Sequence, residues 1–134
     1  MIIIDGNNIM GQRVGWHRNK QAAQKKLTDE VDSLARSRNE PHILVFDAKP
    51  DSTLPDQWSR FLLTVQYAGP GRSADEVILE LVYHHSRDSG VTVVTSDRAL
   101  TRQIKVLGAE VMSSGAFRRL LEQCVFSASM RDSD

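Results

Sequence analysis

The chain has little with which to staple itself, anchor itself or attract a charged partner from a distance. It has one cysteine, Cys124, in 134 residues, which excludes an internal disulfide and a cysteine-based zinc cluster. A reduced, buried cysteine on a helix is expected there, in keeping with the cytoplasm. No apolar run approaches the roughly 18 residues of a membrane span, and the Ile2–Ile4 run is too short for a signal peptide. A soluble, intracellular chain without a membrane partner is the expectation. Net charge is absent too: 17 basic residues cancel 17 acidic ones, so any nucleic acid would have to be gripped by a local basic patch. Repeats and low-complexity segments are also missing, and the length suits one domain with a real core.

What is present is organised around the first eight residues, Met1-Ile-Ile-Ile-Asp-Gly-Asn-Asn8. Three consecutive isoleucines are apolar on both faces, the pattern of a strand buried inside a parallel sheet. The run stops at Asp5, and Gly6 permits a sharp turn. An acid at the carboxyl end of a central parallel strand stands where open α/β sheets place their ligands. The plain alternative is a turn aspartate bonded to its own backbone.

Residues 10–19 read as a loop, with Trp16 either stacking on a base or covering the core. Lys20 to Arg38 carries Ala23, Leu27, Val31 and Leu34 at helical spacing. Pro41 breaks that helix, and His42-Ile-Leu-Val-Phe46 is a second apolar strand that again ends in an acid, Asp47. Strand, helix, strand of this length forms a right-handed βαβ unit, so Asp5 and Asp47 project from one edge. Residues 48–58, with two prolines, read as a surface loop. Phe61 to Tyr67 is a third strand. Ser73-Ala-Asp-Glu76 has the form of a capping box opening a helix with Val77, Ile78, Leu81, Val82 and His85 on its stripe. Asp88-Ser-Gly90 ends it, with Gly90 as a left-handed cap. His84 and His85 are adjacent, point to different faces and form no chelating pair. Residues 91–95 form a fourth strand, after which Ser96 or Asp97 caps a helix over 99–107. Residues 109–112 are a fifth strand and 113–126 a last helix. The domain is expected over 1–126, with 127–134 as a flexible tail.

Five strands separated mostly by helices predict a three-layer α/β domain around a mainly parallel sheet. With strand order 3-2-1-4-5, the switch point lies between strands 1 and 4, under Asp5 and Asp97. The helix carrying Asp75 and Glu76 starts at the same edge, so four carboxylates would converge, with Asp47 beside them. Such acids repel, and their pKa values rise unless a cation neutralises them. Oxygen ligands alone favour Mg²⁺ or Mn²⁺.

The ordered set Ile4-Asp-Gly-Asn-Asn8, Val45-Phe-Asp47, Ser73-Ala-Asp-Glu76 and Val94-Thr-Ser-Asp97 resembles the NYN domains of the PIN-like nuclease superfamily, in particular the YacP-like branch. The resemblance runs from Met1 to about Val125. It implies the PIN-like 3-2-1-4-5 sheet and metal-dependent ribonuclease activity. It matches the family's acids to Asp5, Asp75, Glu76 and Asp97, and its asparagine to Asn8. Asp47 takes a supporting place, as does Ser96. Glu76 departs from the family's aspartate, which leaves open whether it binds metal or only caps the helix.

The reading is therefore an endoribonuclease, a hydrolase of phosphodiester bonds in single-stranded RNA. Mg²⁺ or Mn²⁺ would be held by Asp5, Asp75, Glu76 and Asp97, and phosphates by Arg13, Lys49, Arg72 and Arg98. The partner is RNA, as mRNA, with the ribosome a further candidate and oligomeric state open. The alternatives are an NYN domain that binds RNA or ribosome without cutting, a DNA substrate, and a receiver-like signalling domain. The last wants an acidic pair after strand 1 and a lysine after strand 5, and the chain offers neither.

Overall fold

The computed structural model describes residues 1–87 and 90–132, with side chains as far as Cys124. Strand β1 (Ile2–Asp5) runs straight into a single helical turn, α1 (Gly6–Met10), and a 3-10 turn at Trp16–Arg18 leads into α2 (Lys20–Arg38). Then follow β2 (His42–Phe46), β3 (Gln57–Arg60), β4 (Leu63–Tyr67), α3 (Ala74–His84), β5 (Thr92–Val94), α4 (Arg98–Val106), β6 (Glu110–Met112) and α5 (Ser114–Asp132). The sheet order is β3-β4-β2-β1-β5-β6, parallel except where β3 runs against β4. The five expected strands thus occupy their expected order, with β1 central.

The sixth strand, β3, corrects the reading of 48–58 as loop throughout. It pairs with β4 across a two-residue turn, Phe61-Leu62, in the register Arg60 opposite Leu63. Such a turn normally announces itself by glycine or asparagine. Here Phe61 itself takes the left-handed backbone, φ 57°, and its exposed ring lies under the Arg36 guanidinium at 4.7 Å. The third expected strand accordingly starts at Leu63, not at Phe61.

Two apolar layers explain the rest. On one face Ile2, Ile4, Leu44, Phe46 and Val65 meet Leu27, Val31 and Leu34 of α2 and Phe117 and Leu121 of α5. On the other, Ile3, Ile43, Val45 and Val93 meet Val77, Ile78 and Val82 of α3 and Leu100 and Ile104 of α4. The strand period of two assigns the isoleucines to alternate layers and directs Asp5 toward the α3 side. Trp16 packs against the first layer with Lys20 over its ring, the core-covering role of the two weighed for it. Cys124 is free and half-buried, less enclosed than expected. Gly90 has the left-handed φ of 77° expected of it, but the cap of α3 is His85; Asp88 and Ser89 lie outside the described residues. The backbone of α5 continues past Phe126, while side chains over most of the expected tail lie outside the described residues.

Candidate active site

Asp5 closes the central strand and begins the site. Its carboxylate caps α1, accepting from Asn8 N–H at 3.4 Å, and its second oxygen accepts from the Thr95 hydroxyl at 3.1 Å. Only 6% of Asp5 is exposed. Burial is the main cause that pushes its pKa up to about 6; the two hydrogen bonds oppose the shift, and the charges of Asp75 and Asp47 add to it. Asp5 thus takes the turn role weighed for it, as a cap on α1, yet the cap does not offset desolvation.

Gly6 owes its place here to space rather than to an unusual φ. A Cβ on Gly6 would stand 2.6 Å from the Phe46 ring and 2.9 Å from the Val45 carbonyl oxygen, so only hydrogen fits between α1 and β2. That close approach sets the two asparagines. Asn7 accepts the Asp47 N–H at 2.8 Å. The Asn8 carbonyl oxygen accepts from Ser96 N–H at 3.0 Å and from the Ser114 hydroxyl at 2.5 Å. Ser96 in turn accepts from Ser114 N–H at 3.0 Å. A polar floor thus ties β1, β5 and the first turn of α5 together.

The other acids are placed by helix starts. Asp97 caps α4 through Leu100 N–H at 2.8 Å, and its own N–H donates to Thr95 Oγ1 at 3.2 Å. Thr95 therefore links Asp5 to Asp97 directly. Asp47 accepts from Ala74 N–H at 3.0 Å, at the start of α3, one residue before Asp75. Half-buried Asp75 has its pKa raised by burial first, then by the charges of Asp97 and Asp47. Asp5, Asp47, Asp75 and Asp97 are thus brought within electrostatic reach of one another at the carboxyl edge of the sheet.

Glu76 is not among them. Ser73 caps its N–H at 3.2 Å, but the exposed carboxylate lies 3.8 Å from Arg72, which also reaches Glu80 at 2.6 Å. A helical residue one position beyond Asp75 is turned by about 100°, and the nearby arginine holds it on that outer face. Three of the four cations expected to hold phosphate are likewise occupied: Arg13 by Glu30 (2.6 and 3.0 Å), Lys49 by Asp56 (2.7 Å) and Arg72 by its two glutamates. Arg98 is exposed and has no ion-pair partner among the described residues. An open groove of about 410 Å³ lies beside the acids, lined by Asp47, Ala48, Lys49, Ser52, Gly69 and Pro70.

The model of the YacP-like NYN domain family matches residues 2–132. The chain belongs to this family. Its backbone is similar to the crystal structure of Rae1 (YacP) from Bacillus subtilis, with a TM-score of 0.84 and 21% identity over 99% of this chain and 79% of that one. A tryptophan-to-leucine mutant of the same Bacillus subtilis protein superposes with a TM-score of 0.79, at 21% identity, over 97% of this chain and 79% of that one. At that identity the likeness speaks for the fold. A search of curated proteins found no match.

Membership in the NYN family makes the domain one of nuclease type and sets aside the receiver-like alternative. Three residues that hold the candidate site of this NYN domain together escape sequence reasoning: Asn7, Thr95 and Ser114. Thr95 closes an apolar strand and reads as its last β-branched residue; only a fully buried hydroxyl-to-carboxylate bond reveals its use. Asn7 carries a faint signal, since two successive asparagines exceed what one turn needs. Ser114 has none, lying at a helix start where serine is ordinary. Among the described residues no helix is long and apolar enough to cross a membrane.

Proposed function

We propose that this NYN domain is a metal-dependent endoribonuclease that hydrolyses phosphodiester bonds in exposed, single-stranded RNA. The observation that supports it most is Asp5, a nearly enclosed acid at the sheet switch point whose pKa is raised toward 6 beside further acids. Ionised Asp5 costs stability in the metal-free protein, a cost that a bound cation would offset.

The donor chemistry fits a hard divalent cation: carboxylate oxygens, no thiolate, no imidazole pair. Asp5, Asp75 and Asp97 would hold it, with Asp47 supporting. Among the described residues no three or more His, Cys, Asp or Glu side chains are already drawn together as an ion cage. To hold an ion with Asp5, exposed Asp97, whose carboxylate caps α4, and half-buried Asp75 would have to turn inward. When bound, Mg²⁺ or Mn²⁺ would supply Lewis acidity and offset the charge that builds on the phosphate.

The chain's own groups position the reaction. Thr95 holds Asp5 and the backbone of Asp97 in one register, and the Asn8–Ser96–Ser114 floor keeps β5 against β1. The Asn8 carbonyl oxygen is fully engaged, so its NH₂ group is the end left to orient a water. In-line attack by water would leave a 5′-phosphate and a 3′-hydroxyl. Arg98 is the phosphate contact at the edge, whereas Arg13, Lys49 and Arg72 would each have to give up a carboxylate to take one. The substrate would be messenger RNA, free or on the ribosome.

The test is incubation of the purified protein with end-labelled single-stranded RNA and DNA, in Mn²⁺, in Mg²⁺ and in excess chelator. Cleavage of RNA that stops in chelator is expected. Binding without cleavage in either metal would establish the non-cutting alternative, and robust cleavage in chelator would overturn the metal assignment.

A further inference from the structure

The cations of this chain are not equal. Besides Arg13, Lys49 and Arg72, acids also hold Lys25 (Asp29, 2.9 Å), Arg36 (Asp32, 3.3 Å) and Arg60 (Asp29, 3.3 Å). Arg18, Lys20, Lys26 and Arg87 have no ion-pair partner among the described residues either, but among those residues helix α4 is the one helix that carries three such cations and no acid. Its sequence, Arg98-Ala-Leu-Thr-Arg-Gln-Ile-Lys-Val106, contains three cations and no acid. Leu100 and Ile104 are fully buried and fix which side faces the sheet. Arg98, Arg102 and Lys105, at positions i, i+4 and i+7, are exposed on the outer side and have no ion-pair partner among the described residues. The three form a basic ridge about 10 Å long. One end stands at Asp97, in the candidate site, and the ridge leads away from it. Arg118 and Arg119 of α5 also have no ion-pair partner among the described residues, but α5 packs on the opposite layer and carries Glu122 one turn further on.

We infer that the outer ridge of α4 is a phosphate track, on which single-stranded RNA runs between the acidic edge and the far end of the helix. This rests on the nuclease reading above. A polyanion approaching an acidic site needs local positive charge, because the whole molecule supplies none. Cations held by acids are not free to contact phosphate, whereas those of α4 are, beside this edge. Exposed Val106 lies one turn beyond Arg102, but α4 carries no aromatic side chain on which a base could stack, which suits backbone contact without reading of bases.

The experiment compares wild type with Arg102→Gln/Lys105→Gln and with Lys49→Gln/Arg72→Gln, two variants that lose the same charge. Each is titrated in chelator, over a range of salt, with short (about 4-nucleotide) and long (about 20-nucleotide) fluorescent single-stranded RNA, lengths that bracket common site sizes. For the long RNA, the α4 variant should lose about tenfold in affinity and about 1.4 in the slope of log affinity against log salt, about 0.7 per lost contact. The loss should be smaller for the short RNA, and the control variant, whose cations hold acids and make no phosphate contact, should lose clearly less than the α4 variant. Equal losses in both variants would make the effect one of net charge and overturn the track. Wild-type affinity in the α4 variant, with wild type still cutting RNA in metal, would sink the track and leave the nuclease standing. Wild type that neither binds nor cuts RNA would remove the nuclease reading and the track with it.

Discussion

Replacing Asp5 by asparagine separates a ligand cage from a mere turn. The folded-state pKa of Asp5 is about 6, against 3.8 for the ordinary carboxyl, so the folded chain takes up this proton first as pH falls. Ionised Asp5 therefore costs stability above about pH 6, and the cost disappears between about pH 6 and 4. Two pKa units correspond to about 3 kcal/mol at pH 7 in the metal-free protein. Asparagine keeps an acceptor for Asn8 N–H but presents NH₂ to the Thr95 hydroxyl, which must reverse its bond; that adjustment costs about 1 kcal/mol. A net gain of about 1–2 kcal/mol remains, and for a chain of this size it raises the melting temperature by several degrees. The assay is thermal melting of both proteins from pH 7 to pH 4.5, in chelator and then with Mn²⁺. The variant should melt higher at pH 7, and the gap should close on acidification. Buried His42 works in the other direction, because burial lowers its pKa below 6.5 and acid then favours the unfolded chain. Both proteins share His42, so their difference isolates Asp5. Mn²⁺ should stabilise wild type more than the variant, by mass action on the native state. A variant that melts lower at pH 7, with a gap indifferent to pH and metal, would refute the reasoning.

Other outcomes follow from the same geometry. Asp97→Asn should keep the fold and lose cleavage, since asparagine caps α4 about as well as aspartate; full activity would reduce Asp97 to its cap. Glu76→Gln should retain cleavage to within several-fold, whereas Asp75→Asn should lose it, because only Asp75 shares the acids' field. The reverse pattern in a single-turnover assay would exchange their roles. Gly6→Ala should lower stability by about 1–3 kcal/mol in denaturant unfolding, as overpacking against Phe46 does; an unchanged midpoint would mean that α1 can move away from β2 without cost.

Most of the architecture is legible because the chain uses long-range patterns that depend on burial alone. An all-apolar strand at Ile2–Ile4 has to be central, and from that follow the order of its neighbours and the edge at which Asp5, Asp47, Asp75 and Asp97 stand. What escapes is what local chemistry decides. The turn at Phe61-Leu62 lacks the usual residues, because an arginine stacked on the ring offsets an awkward backbone. Helix α1 is too short to show a period, and its asparagines look like loop when they are in fact the pegs that hold Asp47 and Ser96.

The charged residues carry the sharper lesson, since sequence gives their positions but not their partners. Arg13, Lys49, Arg72 and Arg98 look alike as basic residues near an acidic edge, yet three are cancelled within 4 Å and one is not. Asp75 and Glu76 look like one acidic pair, yet one helical step divides them between the site and Arg72. In both cases the deciding quantity is the identity of the nearest opposite charge, which depends on side chains up to about twenty positions away and on the turn of a helix. For a chain with no net charge, that local cancellation has a direct consequence. Substituting a cation that already holds an acid uncovers the acid as it removes the base. Substituting an unpaired one, as on α4, takes away a contact that nothing else nearby replaces.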